Sequence, residues 1–130
     1  MQTTYNEKEI PALAEEKCSV IYALEIIGGK WRLPIIWKLS KQESMRYNEL
    51  RRELEGITNI MLTRSLRFLE ERKLVVRKEF EQIPPRVEYS LTERARKLIP
   101  ALEIIKEWGE GEIEFDRQMT AEREASQKGA

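Results

Sequence analysis

The sequence predicts a mainly α fold with one small β-hairpin, and three observations predict it. Apolar residues recur at helical spacing along most of the chain, while the period falls to two over RVEYSL. Between these regimes lies TNIMLTRSLRFLEERK, residues 58 to 73, whose Leu62, Leu66 and Leu69 form one narrow apolar stripe flanked by Met61, Ser65 and Phe68. Asn59, Thr63, Arg64 and Arg67 fall on a different face of that helix. An isolated amphipathic helix with a solvated polar face would look the same, so its neighbours must decide its role.

Taken in order, residues 1–17 are acidic and polar apart from Ile10, Pro11 and Leu13, and an N-terminal arm with some helix is expected there. Ser19 is the expected N-cap of a first helix carrying Val20, Ala23, Leu24 and Ile27, ended by Gly28 and Gly29. A second helix begins near Trp31 and carries Leu33, Ile36, Trp37 and Leu39. Pro34 is acceptable only in its first turn, because proline lacks the amide donor that a helix interior requires. Trp31 and Trp37 read as packing residues. After KQES, Met45 leads into a short charged helix from Arg46 to Leu54 that Gly56 closes. Ile57 and Thr58 then lead into the central helix, so two helices are joined by the short turn EGIT, a helix-turn-helix arrangement.

Beyond Lys73, Val87, Tyr89 and Leu91 alternate with Arg86, Glu88 and Ser90, the pattern of a half-buried strand. Leu74, Val76 and Phe80 supply its partner, and EQIPP joins the two because Pro84 and Pro85 cannot donate to a ladder. A helix pair followed at once by a hairpin with Lys78 and Arg86 near its tip is the order of a winged helix-turn-helix. Thr92 caps a last helix bearing Leu98, Leu102 and Ile105, within which Pro100 marks a kink or a break. Trp108 extends its apolar face. Gly109 and Gly111 are expected to interrupt it before EIEFDRQM, with AEREASQKGA frayed or disordered. Three regions result: an arm over 1–17, a winged helix-turn-helix domain over 18–109, and a helical or disordered tail over 110–130.

The chain has 130 residues, 41% of them hydrophobic, which suits one core. No apolar run approaches the length of about 20 residues that spans a bilayer, and MQTTYNEKEI lacks the basic and apolar parts of a signal peptide, so a cytoplasmic protein without membrane contact is expected. Histidine is absent and Cys18 is the single cysteine, which leaves no zinc site, no internal disulfide, and no nucleophile with an activating base. Neither an enzyme nor a cofactor is expected. The zero net charge conceals segregation: residues 30–97 hold 17 Lys and Arg against 10 Asp and Glu, and the rest holds 6 against 13. A cationic middle with acidic ends suits a nucleic-acid partner.

Several dispersed stretches resemble one family. Cys18 followed by YALEIIGGKW, then RYNELRREL with GIT, MLTRSLRFLEERKLVVRK, and IPPRVEYSLTERAR with the closing EWG are similar to the HxlR-type transcriptional regulators, winged-helix proteins related to the MarR group. The resemblance spans roughly residues 18–109. It departs from the family pattern at Ser19, where Pro commonly follows the Cys, and at Pro34, where an ordinary helix former is usual. It implies a homodimer assembled through N- and C-terminal helices on a pseudo-palindromic operator in double-stranded DNA. It also implies thiol sensing by Cys18 in some members, through oxidants or electrophiles, with intersubunit disulfides.

On the residues themselves, Asn59, Thr63, Arg64 and Arg67 are the expected base readers, since Asn pairs with adenine, Arg with guanine, and Thr bonds to either or touches a thymine methyl. Arg46, Tyr47, Asn48 and Arg51 on the preceding helix, with Lys78 and Arg86 in the wing, are expected to hold phosphates. Cys18 precedes a helix and adjoins Lys17, both of which favour a thiolate; an inert small hydrophobe is the alternative. A winged-helix module that binds protein instead of DNA is the competing class, because a fold does not fix a function.

Overall fold

The computed structural model describes residues 18–129; the expected N-terminal arm and Lys17 lie outside the described residues. Its elements are α1 (Ser19–Ile27), α2 (Arg32–Leu39), β1 (Met45–Arg46), α3 (Tyr47–Glu53), α4 (Asn59–Glu71), β2 (Val75–Phe80), β3 (Arg86–Leu91), α5 (Glu93–Arg96) and α6 (Ile99–Lys128). The strands form one antiparallel sheet in the order β1-β3-β2. The chain is mainly helical with a small sheet, and α3, α4 and the β2–β3 wing follow one another as a winged helix-turn-helix requires. Two compact units are distinguished, one ending at Lys97 and the other starting at Leu98.

The first unit is built on the apolar sides of its helices. Ile35, Ile36 and Leu39 of α2, Leu50 of α3, and Leu62 and Leu69 of α4 are fully buried. Pro34 falls in the first turn of α2, where its missing amide costs nothing. Trp31 and Trp37 are only half-buried, so the branched aliphatics, including an Ile35 that the sequence pattern did not single out, form the centre. Gly28 ends α1 for a steric reason: a Cβ there would stand 2.2 Å from the Leu24 carbonyl oxygen. Arg32 Nη1 then donates to the carbonyls of Glu25 and Ile26 at 3.2 and 2.9 Å, while its guanidinium lies 3.5 Å from the Phe68 ring centroid. One side chain thereby completes the end of α1, starts α2 and packs on α4.

Five expectations are corrected. The N-cap of α1 is Cys18, whose Sγ accepts from the Ile21 amide at 3.5 Å, and Ser19 is the first helical residue. Arg46 is not helical: Met45 and Arg46 pair with Tyr89 and Glu88 as β1, because the free edge of β3 takes up a two-residue segment too short to show a period. The parity of β2 is shifted. Val75 is buried opposite Leu91, whereas Val76 is 46% exposed opposite Ser90. Leu74 belongs instead to the end of α4, where Lys73 adopts φ 61° and the Leu74 amide donates to the Leu69 carbonyl at 2.9 Å. A one-residue shift of this kind moves every side chain to the opposite face.

The remaining corrections concern α6. Pro100 stands in its first turn and the chain breaks between α5 and α6, as one of the two expected outcomes had it. Gly109 and Gly111, however, lie within an unbroken helix, and the stretch from Ala121 to Lys128 is helical too. A glycine costs a helix about 1 kcal/mol relative to alanine, which thirty residues of hydrogen bonding absorb. The ion pairs Lys106–Glu110 at 3.2 Å and Arg117–Glu114 at 3.6 Å add surface support. Leu62→Ala, which leaves a void where α4 meets its core, is expected to lower unfolding stability by about 2–5 kcal/mol in a urea titration.

Candidate nucleic-acid interface

Helix α4 begins cleanly. Thr58 is its N-cap, and the hydroxyl accepts from the Met61 amide at 3.1 Å, so the first turn is held without using Asn59 or Thr63. Leu62, Leu66, Phe68 and Leu69 are buried, and α4 packs on α2 and β2. Asn59, Thr63, Arg64 and Arg67 are all exposed on the opposite side and together line one shallow concavity of about 330 Å³. The four expected readers therefore share a surface. Ile60 completes that concavity and is 69% exposed, a residue the apolar-stripe reading passed over because it lies off the stripe.

Tyr47 occupies a different place from the other residues of its group. Its hydroxyl donates to Asn59, with the backbone oxygen at 3.2 Å and Oδ1 at 3.1 Å, and lies 3.1 Å from Thr63 Oγ1. The first residue of α3 is thus tied to the first two turns of α4. A phenolic hydroxyl can donate once and accept twice, so it can satisfy both side chains together. Sequence spacing offered no sign of this, since the partners stand twelve and sixteen residues apart.

Arg46, Asn48 and Arg51 are exposed. Arg46 adjoins the start of α3, where its amide donates to Glu49 Oε1 at 3.0 Å, leaving the guanidinium outside the cap. A cleft of about 810 Å³ separates this end of α3 from the wing, and Arg46, Asn48, Arg52, Pro85 and Arg86 are among the residues that line it. Arg52 was not singled out in the sequence; its adjacency to Arg51 was the available signal.

The wing carries its own charge pattern. Lys78 is exposed opposite Glu88, and Arg86 pairs with Phe80 at the tip of the ladder. Both cations lie over the Phe80 ring, Arg86 at 4.1 Å and Lys78 at 5.0 Å from its centroid. Arg86 Nε also meets Glu88 Oε2 at 2.9 Å, so its guanidinium is held rather than free. On the other face, Arg77 lies 2.7 Å from Glu79, and hydrogen bonds to Glu79 and then Tyr89 raise its pKa above an already high ordinary value. Cys18 is exposed at the start of α1.

Residues 26–117 match the family described as HxlR-like helix-turn-helix. The chain belongs to this family. Relatives and solved structures agree with it. The HxlR-like chain is 48% identical over 88 residues to an uncharacterized HTH-type transcriptional regulator of Halalkalibacterium halodurans, covering 68% of this chain and 78% of the relative. Its structure is similar to the redox regulator HypR in its oxidized form, with TM-score 0.68, 45% identity, and 72% and 96% of the two chains covered. It is also similar to the reduced form of the transcriptional regulator YodB from B. subtilis, with TM-score 0.62, 27% identity, and 71% and 90% covered. This HxlR-like protein is a transcriptional regulator of the helix-turn-helix class.

Tyr47→Phe removes the hydrogen bonds to Asn59 and Thr63 but no packing. A loss of about 1 kcal/mol or less in unfolding stability is expected, together with a changed chemical shift of the Asn59 side-chain amide in a nitrogen–proton correlation spectrum.

Proposed function

We propose that the protein is a sequence-specific DNA-binding regulator that acts as a homodimer on a pseudo-palindromic operator in the cytoplasm. The observation that carries this reading is the two-sidedness of α4: its leucines are buried while Asn59, Thr63, Arg64 and Arg67 share one exposed surface. In this reading the helix lies in the major groove with those four side chains at base edges. Arg46, Asn48 and Arg51, with Lys78 and Arg86 in the wing, meet phosphates on either side and set register. Tyr47 serves differently, orienting Asn59 and Thr63 from behind. The dimer is supported by apolar surface on each terminal helix: Val20 and Leu24 of α1 are 67% and 54% exposed, and Ile105, Trp108, Phe115 and Met119 of α6 recur at near-heptad spacing and are exposed. A second copy would cover them. No helix among the described residues is long and apolar enough to cross a membrane.

Selection of bound duplex from a random pool tests the reading, and recovery of a two-fold-related consensus is the expected result. Arg64→Ala or Arg67→Ala then weakens binding to that consensus by about 1–3 kcal/mol per lost base contact. An affinity loss no greater than that of a remote surface substitution would remove these residues from the reading. Lys78→Ala should weaken all duplexes alike and reduce the slope of log affinity against log salt by about one. A protein-binding module would instead show no steep salt dependence on duplex.

A second reading adds thiol sensing by Cys18. It is supported by the exposure of the thiol and by the similarity to HypR, a redox regulator solved in its oxidized form. With one cysteine per chain, a disulfide must join two subunits: two thiols lose two electrons and two protons to an oxidant such as diamide. Diamide should therefore yield a covalent dimer on a non-reducing gel and change operator affinity, and both effects should vanish in Cys18→Ser. An unchanged response in that variant would dismiss the thiol reading and leave the DNA reading intact. A small-molecule effector is compatible with the same assembly.

A further inference from the structure

Ile60 has no structural employment. It is 69% exposed, whereas Leu62, Leu66, Phe68 and Leu69 of the same helix are buried. A β-branched residue at an exposed helical position gains nothing from helix propensity, so neither packing nor local structure accounts for it. Its neighbours do suggest a role. Thr63, Arg64 and Arg67 follow Ile60 by three, four and seven residues, which places all four on one helical stripe, and they line the same concavity with Asn59.

Ile60 shares its concavity with two arginines, Arg64 and Arg67. A DNA major groove is a good fit. There the arginines meet electronegative base edges and phosphates, and the one apolar group exposed on the groove floor is the C5-methyl of thymine. Ile60 is the second residue of α4, and the N-terminal residues of a recognition helix are those that reach base edges.

We propose that Ile60 is a specificity-determining residue that packs against a thymine methyl group, so that each operator half-site carries a required thymine facing the first turn of α4. This rests on the DNA-reading assignment of that helix and adds to it the identity of one base. Asn59, tied to Tyr47, and Thr63 then frame the contact on either side.

The test uses the full-length protein and the duplex it selects from a random pool. Each thymine is replaced in turn by uracil, which removes the methyl and nothing else. The wild type should lose affinity at one position, by roughly fourfold per half-site, as burial of a single methyl group implies. Ile60→Ala should bind the thymine duplex correspondingly more weakly and be indifferent to uracil at that position, while Ile60→Val keeps part of the discrimination. Alanine favours the helix, and a matched thermal melt separates misfolding from lost contact. Uracil substitutions that leave the wild type unaffected everywhere, or that penalise Ile60→Ala as much as the wild type, overturn the thymine contact while specific binding stands. Failure to select any duplex overturns the broader reading and this one with it.

Discussion

The structure depends on one helix being held by one side only. Leu62, Leu66 and Leu69 of α4 lie at 2% exposure or less, against a centre supplied by Ile35, Ile36 and Leu39 of α2 and by the start of β2. Close packing of branched aliphatic side chains fixes the rotation of α4 about its own axis. Once that rotation is set, the position of every outward residue is set as well. Asn59, Ile60, Thr63, Arg64 and Arg67 are brought to one surface by what the leucines do, not by interactions among themselves.

Around this helix the polar contacts act as tethers. Arg32 closes the carbonyls at the end of α1 and lies on Phe68, and Tyr47 binds the first turns of α4 from the start of α3. At the other end Thr92 donates to the Lys73 carbonyl at 2.8 Å and accepts from the Ala95 amide at 3.2 Å, joining the end of α4 to the start of α5. The Arg32 and Thr92 tethers satisfy helix-terminal groups that water would otherwise solvate, whereas Tyr47 bonds to the Asn59 carbonyl and to the side chains of Asn59 and Thr63. The wing is organised on the same economy of means: Phe80 gathers Lys78 and Arg86 over its ring, and Glu88 fixes the second of them. Two cations are thereby presented from a short hairpin with limited side-chain freedom.

The two terminal helices have the opposite character. None of the residues of α1 is buried, and Leu102 is the buried residue of α6. Val20 and Leu24 of α1 and Trp108 and Phe115 of α6 are left exposed, the apolar surface that the proposed dimer would cover. Charge is segregated along the chain, cationic over residues 30–97 and acidic outside them.

Much of this was legible in the sequence, and the reason is locality. The spacing of the leucines in α4, the Thr92 cap, the alternation of Val87, Tyr89 and Leu91, and the interruption at Pro100, open between a kink and a break, all express interactions within about four residues, so a linear pattern records them. The outward set Asn59, Thr63, Arg64 and Arg67 follows from the same period. What only the tertiary structure decided are the features whose partners lie far along the chain. Met45 and Arg46 become a strand because β3 offers an edge, and Val75 rather than Val76 turns inward because Leu74 is consumed by the end of α4. Tyr47 becomes a tether because folding brings it to Asn59, and Ile60 becomes conspicuous only when every other large apolar residue of its helix except Met61 has found cover. Period and capping are local properties, whereas pairing, parity and exposure are set by what the rest of the chain leaves available.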